Sequence, residues 1–279
     1  MLSAHGPRVI TMVSAAAAVG KTTLILNLAS ALADAGNKVL LVDENVGMGN
    51  INEALSLRAR YDLAHVLRGD RRLEDVLLDA SRGVRVLPAA RGCREFATSK
   101  EAGRVLKEIA RLGGSADCVL FDACAGLASR FVSLPTPELD VAVVMSTAPA
   151  SITQTYGLLK QLGGRWSGST FRIIVTRAAS ADAAQTVYTN LARVAASRLG
   201  LTLEFVGSVP NDPCVKAAAE LRRPVAEAFP ESPAARAYRF VAAQISAAAR
   251  HASAVEREGF LARMLTRAAP RLIPQGAAL

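Results

Sequence analysis

The chain is poor in the features that mark several common protein classes. Aromatic residues are 5% of its 279 positions and seldom interleave with the arginines, which argues against a dedicated nucleic-acid groove. The four cysteines, Cys93, Cys118, Cys124 and Cys214, form no C-x-x-C pair and sit in or beside apolar runs. That is the pattern of reduced core thiols in a cytosolic protein. His5, His65 and His251 lie far apart and match no metal-ligand spacing. No apolar run approaches the length of a bilayer span, and the seven residues before the first strand pattern are no signal peptide. The expectation is a protein made and kept in the cytoplasm.

What is present is ample for one large core: 51% of the residues are hydrophobic. The formal charge is +9, with arginine recurring at Arg71-Arg72, Arg91, Arg94, Arg222-Arg223, Arg236 and Arg239. Spread in this way, the charge reads as solvated helix faces rather than a DNA-binding surface.

The most informative stretch runs from Arg8 to Asn50. Val9-Ile10-Thr11-Met12-Val13 is a buried-strand pattern, followed by the small-residue turn Ser14-Ala15-Ala16-Ala17-Ala18-Val19-Gly20. Lys21-Thr22-Thr23 then opens an amphipathic helix that Ala35-Gly36-Asn37 ends, and a second strand, Lys38 to Val42, delivers Asp43 to its carboxyl end. Small residues entering a helix let backbone N–H groups converge on an anion, and the helix N-terminus adds partial positive charge. Lys21 supplies a full charge to phosphates, and the Thr22 hydroxyl can ligate Mg2+. The usual pattern is G-x-x-x-x-G-K-[ST]; the first glycine is Ala15 here, so a left-handed backbone at 15, 17 or 18 would be strained.

Beyond Asn50, strand and helix patterns alternate. Helical spacing is expected over Tyr61 to Leu67, Leu73 to Leu78, Lys100 to Arg111, Ile152 to Leu162, Ala181 to Leu199 and Pro233 to Arg250. Strands are expected over Val84 to Pro88, Asp117 to Asp122, Val141 to Met145, Phe171 to Val175 and Leu203 to Val206. The alternation predicts an α/β fold, a doubly wound, mostly parallel sheet with helices on both faces and ligands at the carboxyl ends of the strands. Asp122 ends a buried strand, where an acid beside a phosphate loop can hold Mg2+ through water. Residues 1–250 form the expected nucleotide-binding domain. Residues 251–279 form a tail with a short amphipathic helix over about 255–268, followed by a disordered end after Pro270 and Pro274.

These motifs, with Asp43-Glu44-Asn45-Val46-Gly47-Met48-Gly49-Asn50, Phe121-Asp122, Ser151-Ile152-Thr153 and Val209-Pro210-Asn211-Asp212, resemble the MinD/ParA class of deviant-Walker P-loop ATPases. Within it the likeness is greatest to the FlhG (FleN) flagellar-number regulators, and it covers about residues 8 to 245. The resemblance implies ATP or ADP with Mg2+. It places phosphate contacts on Ala17, Ala18, Val19, Gly20, Lys21, Thr22 and Thr23, and the metal on Thr22 and Asp122. Gly126 would sense the γ-phosphate, and Thr176, Pro210 and Asp212 would line the base. It also implies a nucleotide-dependent homodimer and contact with the flagellar GTPase FlhF or with basal-body and regulatory proteins. The tail helix would seat the protein peripherally on the anionic inner face of the cell membrane, through Phe260, Leu261, Met264, Leu265 and Ala268.

The departures from the family pattern concern hydrolysis. The signature lysine that reaches the partner subunit's phosphates is Ala16 here, and the aspartate that orients the attacking water is Asn45, a degenerate catalytic position beside the retained Lys21. A family aspartate falls on Gln154 and a glutamate on Ala148. The segment that stimulates FlhF in flagellar relatives is missing from Met1 to Pro7. An amide holds water but accepts no proton, so Mg-nucleotide binding is expected with slow or absent hydrolysis. Three functions stay open: a flagellar switch of the FlhG kind, a nucleotide-locked pseudo-ATPase scaffold, and a ParA-like protein that positions DNA or cargo.

Overall fold

The computed structural model describes residues 8–45, 51–81, 83–88, 116–124, 140–164 and 170–249. The expected helix over Lys100 to Arg111, Gly126, Cys93, the amino-terminal segment and the tail over 251–279 lie outside them. Eight strands form one sheet: β1 (Arg8–Val13), β2 (Val39–Asp43), β3 (Leu78–Ser81), β4 (Val84–Pro88), β5 (Cys118–Asp122), β6 (Asp140–Ser146), β7 (Thr170–Ala178) and β8 (Thr202–Pro210). Their order is β3-β4-β2-β5-β1-β6-β7-β8. Every pairing is parallel except the edge hairpin of β3 and β4.

Because side chains alternate across a strand, the sheet supports two cores. On one face Ile10, Met12, Leu41, Leu120 and Val144 pack against helices α1 (Lys21–Asp34), α6 (Pro213–Glu220), α7 (Val225–Ala228) and α8 (Pro233–Ala249). On the other, Val9, Val13, Val42, Phe121 and Val143 pack against α3 (Leu63–Leu67), α4 (Pro149–Gly163) and α5 (Ala181–Leu199). Short α2 (Ile51–Ala54) lies between β2 and α3. The doubly wound sheet read from the sequence is thus the observed one, and each fully buried leucine, such as Leu24 or Leu28 on α1, contributes about 1.5–3 kcal/mol.

Local signals set the element ends. After Asp34, Gly36 turns at φ +89° and the Asn37 amide donates to the Leu32 carbonyl, closing α1. Ser180 caps α5 by accepting from the Ala183 amide, and Gly200 ends it at φ +64°. At the amino ends of the central strands, opposite the phosphate loop, Arg8 pairs with Asp140 at 2.8 Å, Asp140 with Arg172, and Arg172 with Glu204 at 3.2 Å.

Two expectations need correction. Helical spacing from Leu73 to Leu78 gives only a 3-10 turn over Leu73–Val76; Leu77 is extended at ψ 139°, and Leu78 begins β3. Gly83, at φ +72°, leads directly into β4, so a hairpin competes with the helix and wins. The strand expected over Leu203 to Val206 runs on to Pro210, which is the last residue of β8.

Candidate functional site

The turn between β1 and α1 lies at the carboxyl end of the central strand, with β5 on one side and β6 on the other. Sheets of this type hold ligands where the strand order reverses. Gly20 takes φ +87°, a conformation open to glycine, and α1 begins at Lys21 without a side-chain cap. Its first-turn amides therefore face the crevice with the partial positive charge of a 14-residue helix behind them. Ala17 and Ala18 are exposed, Ala16 and Thr23 half-buried, and Val19 buried. Ala18 stands at φ +63°, the strained alanine that the loss of loop glycines made foreseeable.

Lys21 and Thr22 converge on Asp122. The Lys21 ammonium, 7% exposed, forms an ion pair with Asp122 Oδ1, and the Thr22 hydroxyl donates to Asp122 Oδ2 at 2.8 Å; the carboxylate is fully buried. A hydroxyl and a carboxylate this close are hard oxygen donors of the kind Mg2+ takes, with water and phosphate oxygens completing its shell. Among the described residues no group of three His, Cys, Asp or Glu side chains could hold a metal by itself.

Asp43 stands in register with Asp122 on the adjacent strand. Its Oδ1 accepts from the Asn45 amide at 2.9 Å and from Asn45 Nδ2 at 3.1 Å, and its Oδ2 accepts from the Ile51 amide at 2.8 Å. Burial, reinforced by the Asp122 charge, pushes its carboxyl up to about 6 despite those donors. Asn45 Nδ2 also donates to the Asp122 carbonyl at 3.2 Å. Buried Glu44 receives the Cys124 amide on its carboxylate and the Cys124 thiol on its carbonyl, both at 3.1 Å. Burial, followed by the Glu44 charge, raises the Cys124 thiol. The sequence places Asp43 at the carboxyl end of a buried strand, the same feature that marks Asp122, but assigns no role to it or to Glu44.

The remaining expected positions are placed less uniformly. The buried Thr176 hydroxyl lies 2.6 Å from the Val19 carbonyl and 3.1 Å from that of Met145, so its single proton serves the loop and the sheet. Asp212 caps α6 through the Cys214 amide and also accepts from the Ala234 amide of α8, both at 2.9 Å. Burial would raise its carboxyl, but these donors hold it below the usual range. Exposed Gln154 lies on α4, and Ala148 precedes that helix.

Comparison with known proteins agrees with this fold. The CobQ/CobB/MinD/ParA nucleotide-binding domain matches residues 10–225. The chain belongs to this family. The antiactivator FleN of Pseudomonas aeruginosa is 34% identical over 248 residues, 88% of each chain. The flagellum site-determining protein YlxH of Helicobacter pylori is 23% identical over 210 residues, covering 74% of this chain and 71% of that one. Among solved structures, the septum site-determining protein MinD of Pyrococcus horikoshii, complexed with Mg-ADP, superposes with a TM-score of 0.66. It is 25% identical and covers 86% of this chain and 96% of its own. The MinD/ParA-family chain thus carries its lysine, threonine and strand-end aspartates together at one crevice.

Proposed function

We propose that this chain is an ATP-binding switch that regulates flagellar number or placement, with ATP hydrolysis weakened or lost. The observation that carries the reading is the convergence of Lys21 and Thr22 on Asp122 at the helix N-terminus. The similarity to FleN over most of both chains favours the flagellar role. ATP and ADP would bind with Mg2+ on Thr22 and Asp122, their phosphates on the amides of Ala17 to Thr23.

The hydrolytic deficit rests on Ala16 and Asn45. A methyl group carries no charge across a dimer interface. Asn45 uses its amide nitrogen on Asp43 and the Asp122 carbonyl and has no basic group to take a proton from water. A carboxylate at position 45 would face Asp43 at hydrogen-bond distance and be repelled, so asparagine suits the acids around it. The reading extends to a nucleotide-dependent homodimer, to contacts with FlhF or other flagellar proteins, and to peripheral membrane attachment through residues 255–268.

Steady-state phosphate release, paired with flagellar counts after gene deletion, tests the proposal. Turnover near background and altered flagellar number or position are expected. Turnover above about 1 per second that Lys21→Ala abolishes would overturn the hydrolytic deficit. Unchanged flagella would overturn the cellular role.

A further inference from the structure

Strand β7 leaves the sheet directly beside the phosphate loop, and it does so irregularly. Val175 pairs with Ser208 and Ala178 with Pro210, so Thr176 and Arg177 together face a single residue of β8. A bulge of this kind re-aims side chains. Here both are aimed at the loop: Thr176 Oγ1 reaches the Val19 carbonyl at 2.6 Å, and Arg177 Nη1 donates to the Ala18 carbonyl at 3.1 Å. The two residues joined by the second bond are both left-handed without being glycine, Ala18 at φ +63° and Arg177 at φ +54°. Such backbones persist where the surroundings over-determine them.

We propose that Arg177 is a positioning residue of the phosphate loop. Its guanidinium holds the Ala18 carbonyl and thereby keeps Ala18 in the left-handed conformation that turns the following amides toward a phosphate. A glycine at 18 would adopt that conformation unaided; alanine needs a tether. The inference rests on the nucleotide-binding reading of the loop and adds a residue to it. Arg177 acts from outside the loop, since in an anion cradle the amides converge on the anion and the carbonyls point away. Its task is therefore separate from the charge that Lys21 supplies.

The test is a two-position cycle read by calorimetric titration of Mg-ADP into the full-length protein. Arg177→Ala weakens binding about fivefold, the worth of one ordinary hydrogen bond, while the melting temperature of this exposed-site variant stays near wild type. In the Ala18→Gly background the same substitution costs less than about twofold, because the tether has become redundant. An equal penalty in both backgrounds would mean that Arg177 contacts the nucleotide directly, and would overturn the proposal. So would full affinity in Arg177→Ala. Wild-type protein that binds no Mg-ADP would overturn the nucleotide reading itself and the proposal with it.

Discussion

Asp43 behaves opposite to an ordinary surface carboxylate. Its carboxyl rises from 3.8 in the unfolded chain to about 6 in the folded one, so folding favours the protonated acid. The resulting penalty is absent below about pH 4, grows as pH rises, and is complete above about pH 6. Asp43→Asn loses one accepted bond at every pH, since its amide nitrogen cannot accept from Asn45 or Ile51. Its stability relative to wild type is nevertheless expected to rise by on the order of 2–3 kcal/mol as pH goes from about 4 to about 7. Urea midpoints of both proteins across that range check it; a difference independent of pH would contradict the assignment. At this scale the placement of Gly20, Lys21 and Thr22 at a strand-to-helix turn and of Asp122 at the end of a buried strand was legible, because each placement depends on local pattern. Thr176 and Arg177 were not legible as loop tethers, since they reach Val19 and Ala18 across 157 and 159 residues of chain, a proximity only the sheet order creates.

Helix α1 does more than present the loop. Asn27, 4% exposed, accepts the Val225 amide on Oδ1 at 2.6 Å and donates through Nδ2 to the Thr23 carbonyl at 2.8 Å. It thus ties α7 to the second turn of the helix whose first turn forms the site. Asn27→Leu would leave the buried Val225 amide without a partner, at about 1–3 kcal/mol. Denaturant unfolding is expected to report that loss, and hydrogen exchange at Val225 to accelerate; unchanged exchange would contradict the tie. The long helices α1, α4, α5 and α8 were readable from their apolar periodicity and terminal signals. The segment around Leu78 was misread because Leu73, Val76 and Leu77 satisfy helical spacing, while β3 depends on pairing with β4, which periodicity does not encode.

At the scale of the whole molecule, the parallel sheet brings the ends of β1, β2, β5 and β7 to one rim, and two buried cores hold that rim in place. The fold class was legible because buried strands alternated with helical patterns along most of the chain. The 3-10 turn, α2, α6 and α7 were not, being short and set by tertiary contacts. Among the described residues no helix is long and apolar enough to cross a membrane. The rim concentrates a lysine, two threonines and three buried carboxylates, those of Asp43, Glu44 and Asp122, around one helix N-terminus. Such a density of charge is stable only when paired, and in this arrangement Lys21 pairs with Asp122. Mg2+ and phosphate would replace that pairing on nucleotide binding, the metal taking Asp122 and the phosphates taking Lys21.

The central claim, a working nucleotide site in an alanine-filled loop, is tested most directly by calorimetric titration of Mg-ATP into the protein and into Lys21→Ala. Binding by the wild type that Lys21→Ala abolishes is the predicted result. No binding by the wild type, or equal binding by both, would contradict it.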